Sequence, residues 1–258
     1  MSEFVLAKVE IEETAATIAA ERQYLAAAVG AIKATRLQIE RQIRRDRFFL
    51  TTLEPYVPDA SSLPAIKRMC EASSKAGVGP MATVAGIIAQ EAMEAMVSKG
   101  CLHGWVDNGG DISLRLEEPA TLEVFSSPGS GSAYALELEP SPEVVGICSS
   151  SGTLGHSLSF GNADVALVIA DDAVLADALA TALGNEVVDE SSLARSFERV
   201  KKVEGFRAGL AMLDGKTAVC GKLPKVVEVE HNPERMTTHS RMSSARYTGA
   251  DLETGAKT

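Results

Sequence analysis

Apolar and polar residues alternate imperfectly over residues 4–11 (Phe4, Leu6, Val9, Ile11), and this period of two predicts a strand. From about residue 21 to 46 the spacing changes. Leu25, Val29, Ile32, Ile39 and Ile43 recur at helical intervals, which predicts a long amphipathic helix. Tyr56, Pro58 and Pro64 mark a turn region, and Pro64 suits the first turn of a helix over 64–75. A glycine-rich turn, Ala76-Gly-Val-Gly-Pro-Met-Ala-Thr-Val-Ala-Gly86, then feeds a helix that runs to about residue 98. Residues 103–116 read as strand, turn, strand around Asn108-Gly-Gly-Asp111. Further strands are expected near 121–126, 133–138 and 144–149, with the strongest signal over 163–170. A helix over 172–183 follows, then another over 190–202. A hairpin over 208–219 turns at Asp214-Gly215.

Strands and helices come in mixed order, and the hairpins exclude an all-parallel doubly wound sheet. The pattern predicts an α+β fold of mixed, mainly antiparallel sheets packed with helices. After about residue 230 the chain turns polar, with Met236, Met242 and Tyr247 as its main apolar anchors. One domain over 1–230 and a polar C-terminal tail over 231–258 are therefore expected.

Composition adds constraints. At 45% hydrophobic residues, a 258-residue chain can bury a sizeable core. A net charge of −10 disfavours nucleic acid and anionic membranes as partners. No window reaches the roughly 18 consecutive apolar residues of a membrane helix. Glu3, Lys8, Glu10, Glu12 and Glu13 interrupt any signal-peptide core, and no lipid-attachment cysteine lies near the start, so a cytoplasmic location is expected. Cys70, Cys101, Cys148 and Cys220 form no C-x-x-C motif and are expected to be free thiols, by default small buried hydrophobes. Arg41, Arg44, Arg45 and Arg47 crowd the end of the long helix, where they either complement its dipole or form an anion patch.

Four segments carry candidate chemistry. On the helix over 172–183, Leu175, Leu179 and Leu183 form one stripe, with Asp177 and Thr181 one turn apart on the opposite face. That face is otherwise small and uncharged, so the helix should be covered on both sides. A buried Asp177 then needs a partner: a loop hydrogen bond, or a hard cation such as Mg²⁺ shared with the Thr181 hydroxyl. Gly77 and Gly79, with Met81 in the same turn, either present N–H groups to an anion or allow close helix packing. Asn108, Gly109, Gly110 and Asp111 either bind a ligand or simply turn a hairpin. The run 148–164 concentrates serine and glycine around Cys148, Ser151, Gly152 and His156. His156 is an acid/base candidate there, and the alternative is a satisfied structural histidine. No G-x-S-x-G elbow supports a hydrolase.

In this order the segments resemble the ApbE-like superfamily, whose best-known members are FAD:protein FMN transferases. The resemblance covers roughly 70–220. Val106-Asp-Asn-Gly-Gly-Asp111 is similar to that family's Gly-Gly-Asp turn, and Ser151-Gly152 resembles its Thr-Ser-Gly element. Ala176-Asp-Ala-Leu-Ala-Thr-Ala182 is similar to its metal-binding helix. The resemblance implies a T-fold-like architecture, Mg²⁺ held by Asp177 and Thr181, and His156 in a substrate loop. It also implies an FAD or FMN ligand and a homo-oligomer. After His156 the sequence reads Ser-Leu-Ser-Phe-Gly161, without the Asp-Pro pair and Thr-Gly that shape the family's flavin pocket. Residues 77–86 together with Gly161-Asn-Ala-Asp164 look instead like the cytoplasmic branch of the superfamily, which is associated with sulfide assimilation and homocysteine formation.

Three functional expectations follow. The first is an enzyme, of transferase type, with a small-molecule and metal site built on Asp177, Thr181, Asp111 and His156. In its sulfur-handling form Cys148, or alternatively Cys70, acts as the working thiol, which requires partial exposure and a lowered pKa. The second is flavin binding or FAD-dependent FMN transfer at the same site. The third is a non-catalytic assembly module that uses the tail.

Overall fold

The structure is a computed structural model, and it describes residues 3–126, 132–150 and 161–230. The chain opens with a hairpin of β1 (Phe4–Ile11) and β2 (Thr14–Glu21), turning through Glu12 at φ 52°. Helices α1 (Leu25–Arg45), α2 (Phe48–Thr51), α3 (Pro64–Ala76) and α4 (Val84–Val97) follow. Next come β3 (Gly104–Asp107), β4 (Asp111–Leu116), β5 (Ala120–Ser126), β6 (Ser132–Leu138), β7 (Ser141–Ser150) and β8 (Val165–Ala170). Helices α5 (Ala173–Glu186), α6 (Glu190–Leu193) and α7 (Phe197–Val200) lead into β9 (Phe206–Leu213), β10 (Lys216–Gly221) and β11 (Lys225–Glu230).

Most expected elements are present, with Pro64 in the first turn of α3 and Asp214-Gly215 at positive φ in the β9–β10 turn. Three differ. The strand β2 has no counterpart in the sequence reading. Its Thr-Ala-Ala-Thr-Ile-Ala-Ala run is buried at every position, which erases the period-two signal, and alanine is a weak strand former. The helix expected over 190–202 is two short helices. Asp189 closes a capping box with Ser192 at the first, and the buried Ser196 lies between them. The strand β11 also went unforeseen.

Every strand pairing is antiparallel. Eight strands form one sheet in the order β1-β2-β3-β4-β7-β8-β9-β10, and β11-β6-β5 form a second. Side-chain alternation splits the large sheet into two faces. Ile112, Leu114, Ile147, Leu167, Ile169 and Leu210 meet Leu136 and Leu138 of the small sheet. Val106, Cys148, Ala166, Val168 and Ala170 face the helices α1, α3, α4 and α5. The result is three layers: helices, large sheet, small sheet.

The helix-facing surface is built from small residues, and this lets α5 sit deep. A Cβ on Gly146 would strike the backbone of Asp172 and Ala173. On the other side of α5, a Cβ on Gly86 of α4 would strike the Ala173 carbonyl and come within 2.8 Å of the Asp177 Cβ. The helix is therefore covered on both sides, as its sequence predicts, and Ala173 to Gly184 are buried except for the partly exposed Asp177. Among the described residues no helix is long and apolar enough to cross a membrane.

Candidate functional site

Asp111 begins β4 and lies opposite Cys148 of β7 in the antiparallel register. Residues so paired point to the same face, and Cys148 belongs to the helix-facing core. Asp111 thus points toward α4 and α5. Among the described residues its Oδ1 is buried without a hydrogen-bond partner, and the Cys148 thiol is the polar side chain that lies against the carboxylate.

Asp177 reaches the same place from the first half of α5. Its Oδ2 accepts a 2.8 Å hydrogen bond from the backbone N–H of Gly86, in the first turn of α4. The N–H groups that open a helix have no partner within it, and here a carboxylate from a neighbouring helix supplies one. Asn108 grips the same turn with the opposite polarity, donating from Nδ2 to the Ala85 carbonyl at 3.2 Å. One turn beyond Asp177, the buried hydroxyl of Thr181 has no hydrogen-bond partner among the described residues. The same is true of Ser150 Oγ, on the helix-facing side of β7. Three unsatisfied oxygens (Asp111 Oδ1, Thr181 Oγ1 and Ser150 Oγ) thus lie on the β4, β7 and α5 segments packed against one another.

The electrostatics follow from this enclosure. Both carboxylates keep some solvent contact but are surrounded by protein. Burial pushes Asp177 up to about 7, against the pull of the Gly86 and Ala85 amides. Burial pushes Asp111 well above the usual carboxylate range, and the charges of Asp177 and Asp107 push the same way. Two carboxylates that resist ionisation thus lie on elements that also carry two buried hydroxyls without hydrogen-bond partners among the described residues.

The hairpin between β3 and β4 is set by its glycines. Gly109 and Gly110 sit at φ 72° and 100°, and the Gly110 N–H donates to Asp107 Oδ1 at 2.8 Å. This tight turn delivers Asn108 and Asp111 to α4 and α5. The earlier glycines have local jobs. Gly77, at φ 65°, ends α3, while Arg199 donates to the adjacent Ala76 carbonyl at 2.6 Å. A Cβ on Gly79 would strike the Thr52 carbonyl, so this turn packs on residues 52–53. Met81 is partly buried against the helical core.

The structure therefore brings Asn108, Asp111, Cys148, Asp177 and Thr181 together, and leaves Gly77 and Gly79 to helix ending and packing. Ser151, Gly152 and His156 lie outside the described residues. The chain is described through Ser150, the last residue of β7, and again from Gly161, where Asn162 bonds the Val187 and Val188 carbonyls past the end of α5.

The thiol candidates correct the sequence expectation. Cys148 is fully buried, its Sγ lies 3.3 Å from the Ala173 carbonyl, and burial raises its pKa well above the ordinary thiol. Cys70 is 2% exposed, and burial raises it to about 11. Neither has the exposed, low-pKa thiol that sulfur chemistry requires. Gln90, buried in α4, was missed. A lone amide among Gly86, Ile87, Ile88, Ala89, Ala92 and Met93 was the available signal.

Comparison with known proteins gives the chain its family and fold. The model of the family described as "AbpE bacteria" matches residues 4–202. The chain belongs to this family. The UPF0280 protein of Methanocella arvoryzae is 43% identical over 231 residues, covering 90% of this chain and 94% of that protein. The UPF0280 protein of Methanothrix thermoacetophila is 44% identical over 218 residues, covering 84% and 92%. Among solved structures, the Pseudomonas stutzeri flavinyl transferase ApbE in its apo form superposes with a TM-score of 0.53 at 13% identity, covering 84% of this chain and 94% of that one. The flavin transferase ApbE of Vibrio cholerae gives 0.53 at 13%, covering 85% and 97%. At that identity the likeness is one of fold, and it establishes the ApbE-like α+β architecture.

Proposed function

We propose that the recess between α4, α5, β4 and β7 binds a divalent cation and, through it, the diphosphate of FAD, and that the chain acts as an FMN transferase. The observation that carries this reading is the oxygen set itself: two largely enclosed carboxylates with raised pKa values and, one turn along the helix from Asp177, the Thr181 hydroxyl without a partner among the described residues. Among the described residues no three of His, Cys, Asp and Glu cluster into a metal site. Mg²⁺ is commonly held by one or two carboxylates and completed by substrate phosphates and water. The shared fold of the flavin transferases supports FAD as the nucleotide.

Asp177 and Thr181 would hold the cation from one face of one helix. When bound, the cation neutralises the diphosphate and polarises it for attack. In the transfer, an acceptor hydroxyl bonds to the FMN phosphorus and the bond to AMP breaks. Asp111 takes the hydroxyl proton on its free Oδ1, and the electron pair leaves with AMP. Asn108 holds the Ala85–Gly86 turn, and through it the orientation of Asp177.

Isothermal titration of FAD into the protein tests this. Binding is expected with Mg²⁺, with little in EDTA, and loss of the Mg²⁺-dependent part in Asp177→Asn. No heat with FAD plus Mg²⁺ would sink the proposal.

A further inference from the structure

The side chain of Gln90 is 2% exposed and bonds three elements at once. Its Oε1 accepts from the backbone N–H of Ala173, the first residue of α5, at 2.9 Å. The same oxygen accepts from Ser113 Oγ of β4, also at 2.9 Å. Its Nε2 donates to Glu94 Oε1 at 2.8 Å. Glu94 is held in turn by Arg68 of α3, at 2.8 and 2.9 Å, and Arg68 also pairs with Glu91.

The two groups bonded to Oε1 lie close along the chain to site residues. Ala173 is one turn before Asp177 on α5. Ser113 is two residues after Asp111 and points to the same face of β4. Gln90 itself is one turn after Gly86, whose amide holds Asp177. The oxygen accepts two hydrogen bonds and the amide nitrogen donates one, so the amide cannot rotate without breaking a buried bond, and each buried loss is costly.

We propose that Gln90 is the positioning residue of the cation site, fixing the α4–α5–β4 junction so that Asp111 and Asp177 face one another; as a role in cation binding it rests on the reading above. Gln90 touches no ligand. It acts through the placement of Ala173 and Ser113. The side chain of methionine is close in size but has neither an amide donor nor an amide acceptor. Glutamate keeps the acceptor but sets a second carboxylate against Glu94, and glutamine at 94 would restore the donor between them.

The experiment uses the full chain and Mn²⁺ alone as probe, with binding followed by titration and the Gly86 amide followed by hydrogen exchange relative to amides of α1. Gln90→Met should weaken Mn²⁺ binding roughly tenfold or more, the usual scale for losing a supporting residue around a metal. It should also speed Gly86 exchange selectively. The double variant Gln90→Glu with Glu94→Gln should recover most of both. Ile66→Val, in the buried core of α3, serves as a destabilised control and should change neither. Wild-type affinity together with unchanged Gly86 exchange in Gln90→Met overturns the proposal. If the wild type binds no Mn²⁺, the cation reading fails and with it Gln90's part in cation binding. Gly86 exchange then decides separately whether Gln90 sets the junction.

Discussion

Asp177 does two jobs that pull against each other. Its carboxylate ends the first turn of α4 through Gly86, and it carries charge into a place where burial resists charge. Its folded-state pKa of about 7 lies well above that of an unfolded carboxylate. The folded protein therefore binds a proton more tightly than the unfolded chain does. Stability from this group is fully present below about pH 4 and is lost as pH rises through about 7. Asp111 acts with the same sign. In EDTA, thermal unfolding followed by circular dichroism should show Tm falling from pH 5 to pH 8. The slope should flatten in Asp177→Asn, and Mg²⁺ should raise Tm more at pH 8 than at pH 5. Thr181 makes a complementary case. Its hydroxyl has no partner among the described residues to lose, so Thr181→Val should stabilise the cation-free protein by about 1 kcal/mol. The same change should weaken Mg²⁺ binding roughly tenfold, because the oxygen is then missing when the cation arrives.

At the scale of elements, the site exists because two close approaches and one tight turn are permitted by small residues. Gly146 lets α5 rest on β7, Gly86 lets α4 rest on α5, and Gly109 with Gly110 turns β3 into β4. Gly86→Ala should cost about 1–3 kcal/mol in denaturant unfolding, the usual range for overpacking, and should separate Asp177 from its amide. The sequence made part of this visible. The Asn108–Asp111 turn and the Asp177/Thr181 face both stand out because charge or glycine interrupts an otherwise regular pattern. The hydrogen bond between Asp177 and Gly86 links residues 91 positions apart, and no local pattern encodes it. β2 was hidden for another reason: burial on both faces removes alternation, and alanine gives no strand signal of its own. The 77–79 glycines stood out as strongly as the others, yet they serve the end of α3 and the packing of residues 52–53.

For the whole molecule, the large sheet separates two cores with different duties. One, rich in alanine and glycine, lets helices approach and carries the candidate site. The other, built from Leu114, Ile147, Leu167 and Leu136, joins the two sheets. Leu136→Ala should therefore cost about 2–5 kcal/mol of stability while leaving Mg²⁺ affinity unchanged, as unfolding and titration of the same preparation would show. The fold is shared with flavin transferases. The central claim is narrower: that the oxygens at the junction of α4, α5 and β4 hold a cation. A crystal of the full chain soaked in Mn²⁺, with anomalous scattering recorded at the manganese edge, tests that claim most directly. A peak is expected at roughly 2.0–2.2 Å from a carboxylate oxygen of Asp177 and from the Thr181 hydroxyl. A well-ordered site with no peak there, Asp177 still bonded to Gly86 and Thr181 still alone, would contradict it.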